Sequence, residues 1–464
     1  SSMSSHKPWT TCMLVPALTW LACLGNGRRA SLTNRRTRES FLSAADHTVG
    51  RPYCTSFDST KQEPTLSLLN LLSLFLVTLN LPSSACVSCD SSGSRRRSSS
   101  SISNRSSPHA SAKLDDNDEL SAVISIAKQG PLWSKLKSAL GSSAMPEAKD
   151  WLRHGEAITA SLTGRRLPAV ELEPSVAARV YHLYLPIYFF MRAHVQARRV
   201  AGEMNALAVG LSAPQGCGKT TLVDLMIERF ADDGLTCVAV SIDDFYLSGA
   251  EQDKLAAAHP TNPLFQVRGN AGTHDLELGA SVLSALKQQQ SAGVHIPRYD
   301  KAARGGRGDR APEDKWPLVQ RPPDVVLLEG WMAGFAPVSS DAAVLSQHAG
   351  LAEVNEKLGH YGQAWHDLMD TWIVIATDNL DNVYKWRLQA EKAMTATGRT
   401  GMSDAQVADF VDRYMPAYKA YLPDLLMQAS GRGVGGKPTL LVHVDQTRTP
   451  IVTSPNGKLG VDDV

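Results

Sequence analysis

Ala213 to Thr221 reads A-P-Q-G-C-G-K-T-T. Backbone N–H groups at the start of a helix form a cradle for an anion. Gly216 and Gly218 let the backbone approach phosphate oxygens. Lys219 brings a point charge for the β- and γ-phosphates, and the Thr220 hydroxyl can sit on Mg²⁺. Ala213, Pro214, Gln215, Gly216, Cys217, Gly218, Lys219, Thr220 and Thr221 are therefore the candidate nucleotide loop. The segment meets G-x-x-x-x-G-K-S/T at Gly218, Lys219 and Thr220 and departs from it at Ala213, where the pattern has glycine. Alanine costs little there if its φ stays negative. The dinucleotide pattern G-x-G-x-x-G is not met: Thr221 stands at its last glycine, and such a site has no use for Lys219. Cys217 is read as a small filler rather than a nucleophile.

Phosphoryl transfer also needs a metal beside the phosphates and a group that takes the acceptor's proton. Three acids follow apolar, strand-like runs, where open α/β sheets bind ligands. Asp243 and Asp244 follow LTCVAVSI, and Glu329 follows DVVLL. Glu329 is placed to bind Mg²⁺, directly or through water; either Asp243 or Asp244 can be the base. Two polar clusters lie between these runs: RGNAGTHD with Arg268 and His274, and IPRYDKAARGGRGDR with Arg298 and Lys301. Their cations suit an anionic acceptor. Arg387, in YKWRLQAEKAM, can act as a lid arginine on the transferring group.

The elements that must hold these groups are legible around them. ALAVGLS (206–212) is a strand. Leu222, Val223, Met226, Ile227 and Phe230 form one face of a helix that ends at Gly234. LTCVAVSI (235–242), DVVLLEG (324–330), WIVIAT (372–377) and LLVHV (440–444) are further strands. Strands alternating with helices predict an α/β fold, a P-loop NTPase with a mostly parallel sheet flanked by helices. Residues 114–204 carry helical spacing and form a helical subdomain ahead of a kinase domain at 205–464. Its last helix, PSVAARVYHLYLPIYFFMRAHVQARRVAGEM, is interrupted at Pro186. LYLPIYFF is a buried stretch, too short for a membrane span. Trp365, Trp372 and Trp386 are read as core, and Ser403 to Gln406 as a capping box.

The chain of 464 residues has a net charge of +1, which argues against a dedicated nucleic-acid binder. That average hides a split. Residues 1–113 carry +8 and the remainder −7. The first part is rich in Ser and Arg, poor in acids, and reads as a disordered transit leader. Thr65–Leu81 is apolar and 17 residues long, the short edge for a membrane span. It is read as part of the leader rather than as an anchor.

Taken together, GLSAPQGCGKTTL, VSIDDFYLS, QVRGNAGTHDLEL, VHIPRYDKAARGGRGDR, VVLLEGWMAGF, YKWRLQAEKAM and GMSDAQVADFVDRYMPAYKAYLP resemble the D-glycerate 3-kinases of plants and algae. The wider phosphoribulokinase and uridine kinase group is similar at Asp243–Tyr246, Pro297–Asp300 and Glu329-Gly330. The resemblance implies transfer from ATP, with Mg²⁺, to D-glycerate, giving 3-phosphoglycerate. It implies Asp243 as base, with Lys219 and Arg387 catalytic and Thr220 and Glu329 on the metal. It implies substrate contacts from Asp244, Tyr246, Arg268, His274, Arg298, Tyr299 and Lys301. It further implies the chloroplast stroma and photorespiration. Glycerate's carboxylate needs a cationic partner, which Arg298 or Arg268 can supply. Competing readings are a kinase of ribulose phosphate, a nucleoside or pantothenate, and a non-catalytic ATP-binding or membrane-tethered protein.

Overall fold

The computed structural model describes residues 116–288, 293–398 and 401–452. The first 113 residues, read from the sequence as a leader, the Thr65–Leu81 run within them and the chain's last residues lie outside the described residues. Along the chain the strands are β1 (Leu207–Ser212), β2 (Cys237–Ser241), the short β3 (Val294–His295), β4 (Tyr299–Asp300), β5 (Asp309–Arg310) and β6 (Leu318–Val319), then β7 (Val325–Gly330), β8 (Thr371–Thr377) and β9 (Thr439–Val444). The main sheet is wholly parallel, in the order β2-β7-β1-β8-β9. β3 pairs with β6 and β4 with β5 as antiparallel ribbons.

The strands read as unbroken apolar runs because both sheet faces are buried. Leu207, Val209, Leu211, Val325 and Leu327 point into one core, shared with the helices at 116–200 and Lys219–Asp232. Ala208, Val326, Leu328 and Val374 point into the other, under the helices Leu276–Lys287, Leu351–Leu358 and Met415–Ser430. Trp365, Trp372 and Trp386 are all buried, as is every residue of Tyr184–Met191. Among the described residues, no helix is long and apolar enough to cross a membrane.

The interruption before Pro186 takes a specific form. The chain winds α over Pro174–Ala177, widens to a π-helix over Ala178–Tyr184, and returns to α over Leu185–Val200. Proline has no N–H for the i−4 bond and its ring crowds the preceding turn; a widened turn absorbs both without ending the helix. The Ser403 capping box forms: Ser403 N donates to Gln406 Oε1 (2.8 Å) and Gln406 N to Ser403 Oγ (3.3 Å).

Gly210, in the middle of β1, faces Trp372 across the ladder. A Cβ there would lie 2.3 Å from the indole ring. Overpacking of this kind costs about 1–3 kcal/mol. Gly210→Ala is therefore expected to lower the thermal unfolding midpoint by several degrees, read by circular dichroism; an unchanged midpoint would show that the indole can move aside.

Candidate active site

All five strands of the main sheet end at one edge. β7 lies between β1 and β2, so Glu329 is level with Leu211 on one side and Ser241 on the other. The loop after β1, the turn after β2 and Glu329 thereby converge on a cavity of about 770 Å³. Gln215 to Thr221 (except Cys217), Asp243, Tyr246, Arg268, Lys301, Glu329 and Arg387 line it.

The loop is shaped for an anion. Gly216 and Gly218 take φ of +79° and +97°, and a Cβ on Gly216 would come within 2.7 Å of Trp386 Cβ. Ala213 is buried, its N–H donates to Gly330 O (3.1 Å), and its φ is not positive, so the conformation does not require glycine. Lys219 opens the helix and folds back, donating to the carbonyls of Ala213 (3.1 Å) and Pro214 (3.2 Å). Cys217 is buried in the core and burial pushes its thiol up, the state of an inert filler. Thr220 is exposed.

Asp243 and Asp244 occupy a short 3₁₀ turn, Ile242–Phe245, which aims them apart. Asp243 lines the cavity; Lys301 Nζ donates to its Oδ2 at 2.5 Å. Burial pushes the Asp243 carboxyl up, but the Lys301 ammonium and hydrogen bonds from Lys301 and Tyr246 outweigh it and hold the group below its ordinary value. Asp244 does not line the cavity. It takes Arg298 Nη1 (2.9 Å) and Tyr299 N (3.3 Å), and burial raises its carboxyl against the pull of Arg298.

The remaining candidate residues divide into two groups. Tyr246, Arg268 and Lys301 line the cavity; His274, Arg298 and Tyr299 do not. Arg268 donates to the carbonyls of Gly306 (3.1 Å), Arg307 and Lys301 (3.4 Å), and lies over the Tyr299 ring. It thus fastens the glycine-rich loop whose Gly305, Gly306 and Arg307 form one cavity wall. His274 stacks on Tyr246, and its Nδ1 pairs with Tyr361 OH (2.7 Å). Burial lowers its pKa to about 4, so it is neutral at pH 7. Behind the cavity, His274 and Tyr361 buttress the phenol that hydrogen-bonds Asp243.

Arg387 lines the far wall, paired with buried Glu391 (2.9 Å) and lying over Phe410. Gln406, Asp409, Phe410, Arg413 and Tyr414 complete that wall. Gln406, Asp409 and Phe410 sit on the helix Asp404–Asp412 that the Ser403 capping box opens, Arg413 and Tyr414 at its junction with the next helix, and none of the five was a candidate from the sequence. The one available signal is Arg413, a cation at a helix end, held by Asp409 and with its carbonyl bonded by Asn270 Nδ2 (3.2 Å) from the RGNAGTHD segment.

Glu329 Oε2 is buried and has no hydrogen-bond partner among the described residues. An orphaned carboxylate oxygen beside a phosphate loop fits a cation ligand.

No protein-family model matches the chain. It is 38% identical over 346 residues to the chloroplastic D-glycerate 3-kinase of Arabidopsis thaliana, a match covering 73% of this chain and 74% of that one. It is 36% identical to a probable ATP-dependent kinase of Saccharomyces cerevisiae, over 53% of this chain and 87% of that one. Among solved structures, D-glycerate 3-kinase from Cryptococcus neoformans superposes with a TM-score of 0.52 at 30% identity, covering 58% of this chain and 97% of that one.

Proposed function

The chain belongs to the D-glycerate 3-kinase family, and we propose that it transfers the γ-phosphoryl group of ATP to the 3-hydroxyl of D-glycerate, giving ADP and 3-phosphoglycerate. The observation that carries this reading is one cavity lined both by the phosphate loop and by an Asp243 carboxyl held below its ordinary value.

The backbone of the loop and the first turn of the helix at Lys219 receive the phosphates, whose charge also suits the helix N-terminus. Lys219 exchanges its two carbonyl partners for phosphate oxygens, a better match for an ammonium. Asp243 accepts a hydrogen bond from the acceptor hydroxyl and aims its oxygen at the γ-phosphorus. As the new P–O bond forms, the bond to the β-phosphate oxygen breaks, ADP departs, and the hydroxyl proton passes to Asp243. A carboxylate held below its ordinary value is a weak base. That is sufficient where the transition state is loose and the proton leaves late. Arg268 and Lys301 on one wall and Arg413 on the other offer cations for the glycerate carboxylate. Arg387 is placed to meet charge on the moving phosphoryl group.

Thr220 and Glu329 are the residues that would hold Mg²⁺. The ion would neutralise charge on the β- and γ-phosphate oxygens.

The Arabidopsis relative is chloroplastic. Together with the acid-poor, Ser- and Arg-rich first 113 residues, this supports delivery to the chloroplast by a cleaved leader and a place in photorespiration. A mature N-terminus near residues 105–115 in stromal protein would support it; retention in membranes would contradict it.

The activity is tested by ADP release from ATP with a panel of acceptors: D-glycerate, ribulose 5-phosphate, uridine and pantothenate. D-glycerate alone should support turnover. No turnover with D-glycerate would overturn the assignment.

A further inference from the structure

A turn near the end of the described chain reaches back into the phosphate loop. After β9, Asp445 closes a tight turn. Its Oδ1 accepts from Thr447 N (2.8 Å) and Thr449 N (2.9 Å), and Arg448 N donates to its carbonyl (2.9 Å). Val444 then bridges Pro450 in antiparallel fashion. A hairpin turn of this length ends in a left-handed residue, a position that favours glycine. Here that residue is Arg448, with φ +67°. Among the described residues, only Arg304 shares this condition outside glycine.

The side chain of Arg448 compensates for this backbone. Its Nε donates to Gly216 O (2.9 Å), inside the phosphate loop. Its guanidinium lies 5.2 Å from the centre of the Trp386 ring, and its Nη2 donates to Gln389 (3.1 Å). Gly216 is the residue that packs against Trp386 with no room for a Cβ. Trp386 Nε1 in turn donates to Gln446 O (2.7 Å) in the same turn. Three segments far apart in sequence thus meet at one point: the phosphate loop, the helix Asp381–Ala396 that carries Arg387, and the 445–449 turn.

We propose that Arg448 is a positioning residue for nucleotide binding. Through the Gly216 carbonyl it holds the phosphate loop in the shape that aims N–H groups at the phosphates. Through Trp386 it fixes the register of the Arg387 helix against that loop. The strained backbone is tolerated because only a long, planar, five-donor side chain reaches all three partners from this turn. The inference rests on reading Ala213–Thr221 as the ATP loop.

The decisive variant is Arg448→Gly, which relieves the backbone while deleting the clasp. Binding of a non-hydrolysable ATP analogue with Mg²⁺ is measured by calorimetry, alongside thermal unfolding without ligand. The dissociation constant is expected to rise about tenfold or more, the loss of roughly one charge-assisted hydrogen bond, with the apo unfolding midpoint unchanged or higher. Arg448→Lys should recover part of the affinity, because an ammonium reaches one carbonyl but cannot lie flat on the indole. Under turnover, the KM for ATP should rise while the KM for the acceptor stays within about twofold. Wild-type affinity in a folded Arg448→Gly would overturn the proposal. So would a lowered midpoint with unchanged affinity, the signature of a purely structural role. Failure of the wild-type chain to bind the analogue would instead overturn the nucleotide-loop reading.

Discussion

Asp243→Asn is expected to bind ATP with affinity within about twofold of wild type while its kcat falls by about 10²–10⁴, the usual contribution of a positioned acid–base group. Asparagine keeps the size of the side chain and can still contact a hydroxyl, but it takes no proton. The effect should be concentrated in kcat, because the lost interaction strengthens as the hydroxyl oxygen closes on phosphorus. Asp244→Asn should do much less to chemistry. Its carboxylate is committed to Arg298 and the Tyr299 N–H and does not face the cavity. If Asp243→Asn retained activity within about tenfold of wild type, Asp243 would not be the base.

The same carboxylate predicts the acid side of the pH profile. Lys301 and Tyr246 hold Asp243 below its ordinary value despite its burial. A group with a depressed value stays ionised to lower pH than an ordinary aspartate, which titrates at about 3.9. Protonation of Asp243 should therefore cost no activity between about pH 8 and pH 5. An acid limb near neutrality that disappears in Asp243→Asn would contradict this.

Lys219→Ala is the second large effect. Lys219 is the cation that opens the helix from the phosphate loop, and it lies within 3.2 Å of two carbonyls that phosphate oxygens can replace. Removing it should lower kcat by about 10²–10³, the range for deleting a preorganised donor to transition-state charge. Affinity for ATP should fall less, because the loop's N–H groups and the helix terminus remain. Rapid-quench measurement of a single turnover separates the two. A rise in KM for ATP with unchanged kcat would mean that Lys219 acts only in binding.

What the sequence made legible follows from how local each determinant is. The phosphate loop was readable because strand, turn and helix are contiguous there, and the Ala213 departure did no harm because its φ is not positive. The parallel sheet was readable from unbroken apolar runs, which both buried faces require. The choice between Asp243 and Asp244 was not readable from the residues alone. Both sit in one short turn, and what separates them is Lys301 and Arg298, which arrive from 58 and 54 residues away. Arg268 was readable as a cation for a carboxylate, but not its bonds to the carbonyls of a loop that turns on Gly305, Gly306 and Gly308, all at positive φ, because those carbonyls lie up to 39 residues away. Arg413 and Tyr414 went unassigned because an amphipathic helix reveals which face is buried, not which end borders a cavity. Arg448 carried no pattern at all: its position depends on a left-handed turn residue and a carbonyl 232 residues upstream.

The central claim, that this cavity phosphorylates glycerate, is tested most directly by identifying the product. The protein is incubated with ATP, Mg²⁺ and ¹³C-labelled D-glycerate and followed by ³¹P and ¹³C NMR. The account predicts ADP and 3-phosphoglycerate appearing in equal amounts, with the new phosphorus coupling at carbon 3, and the same product forming at least about a hundredfold more slowly in Asp243→Asn. ADP release without phosphoglycerate, or phosphate on carbon 2, would contradict it.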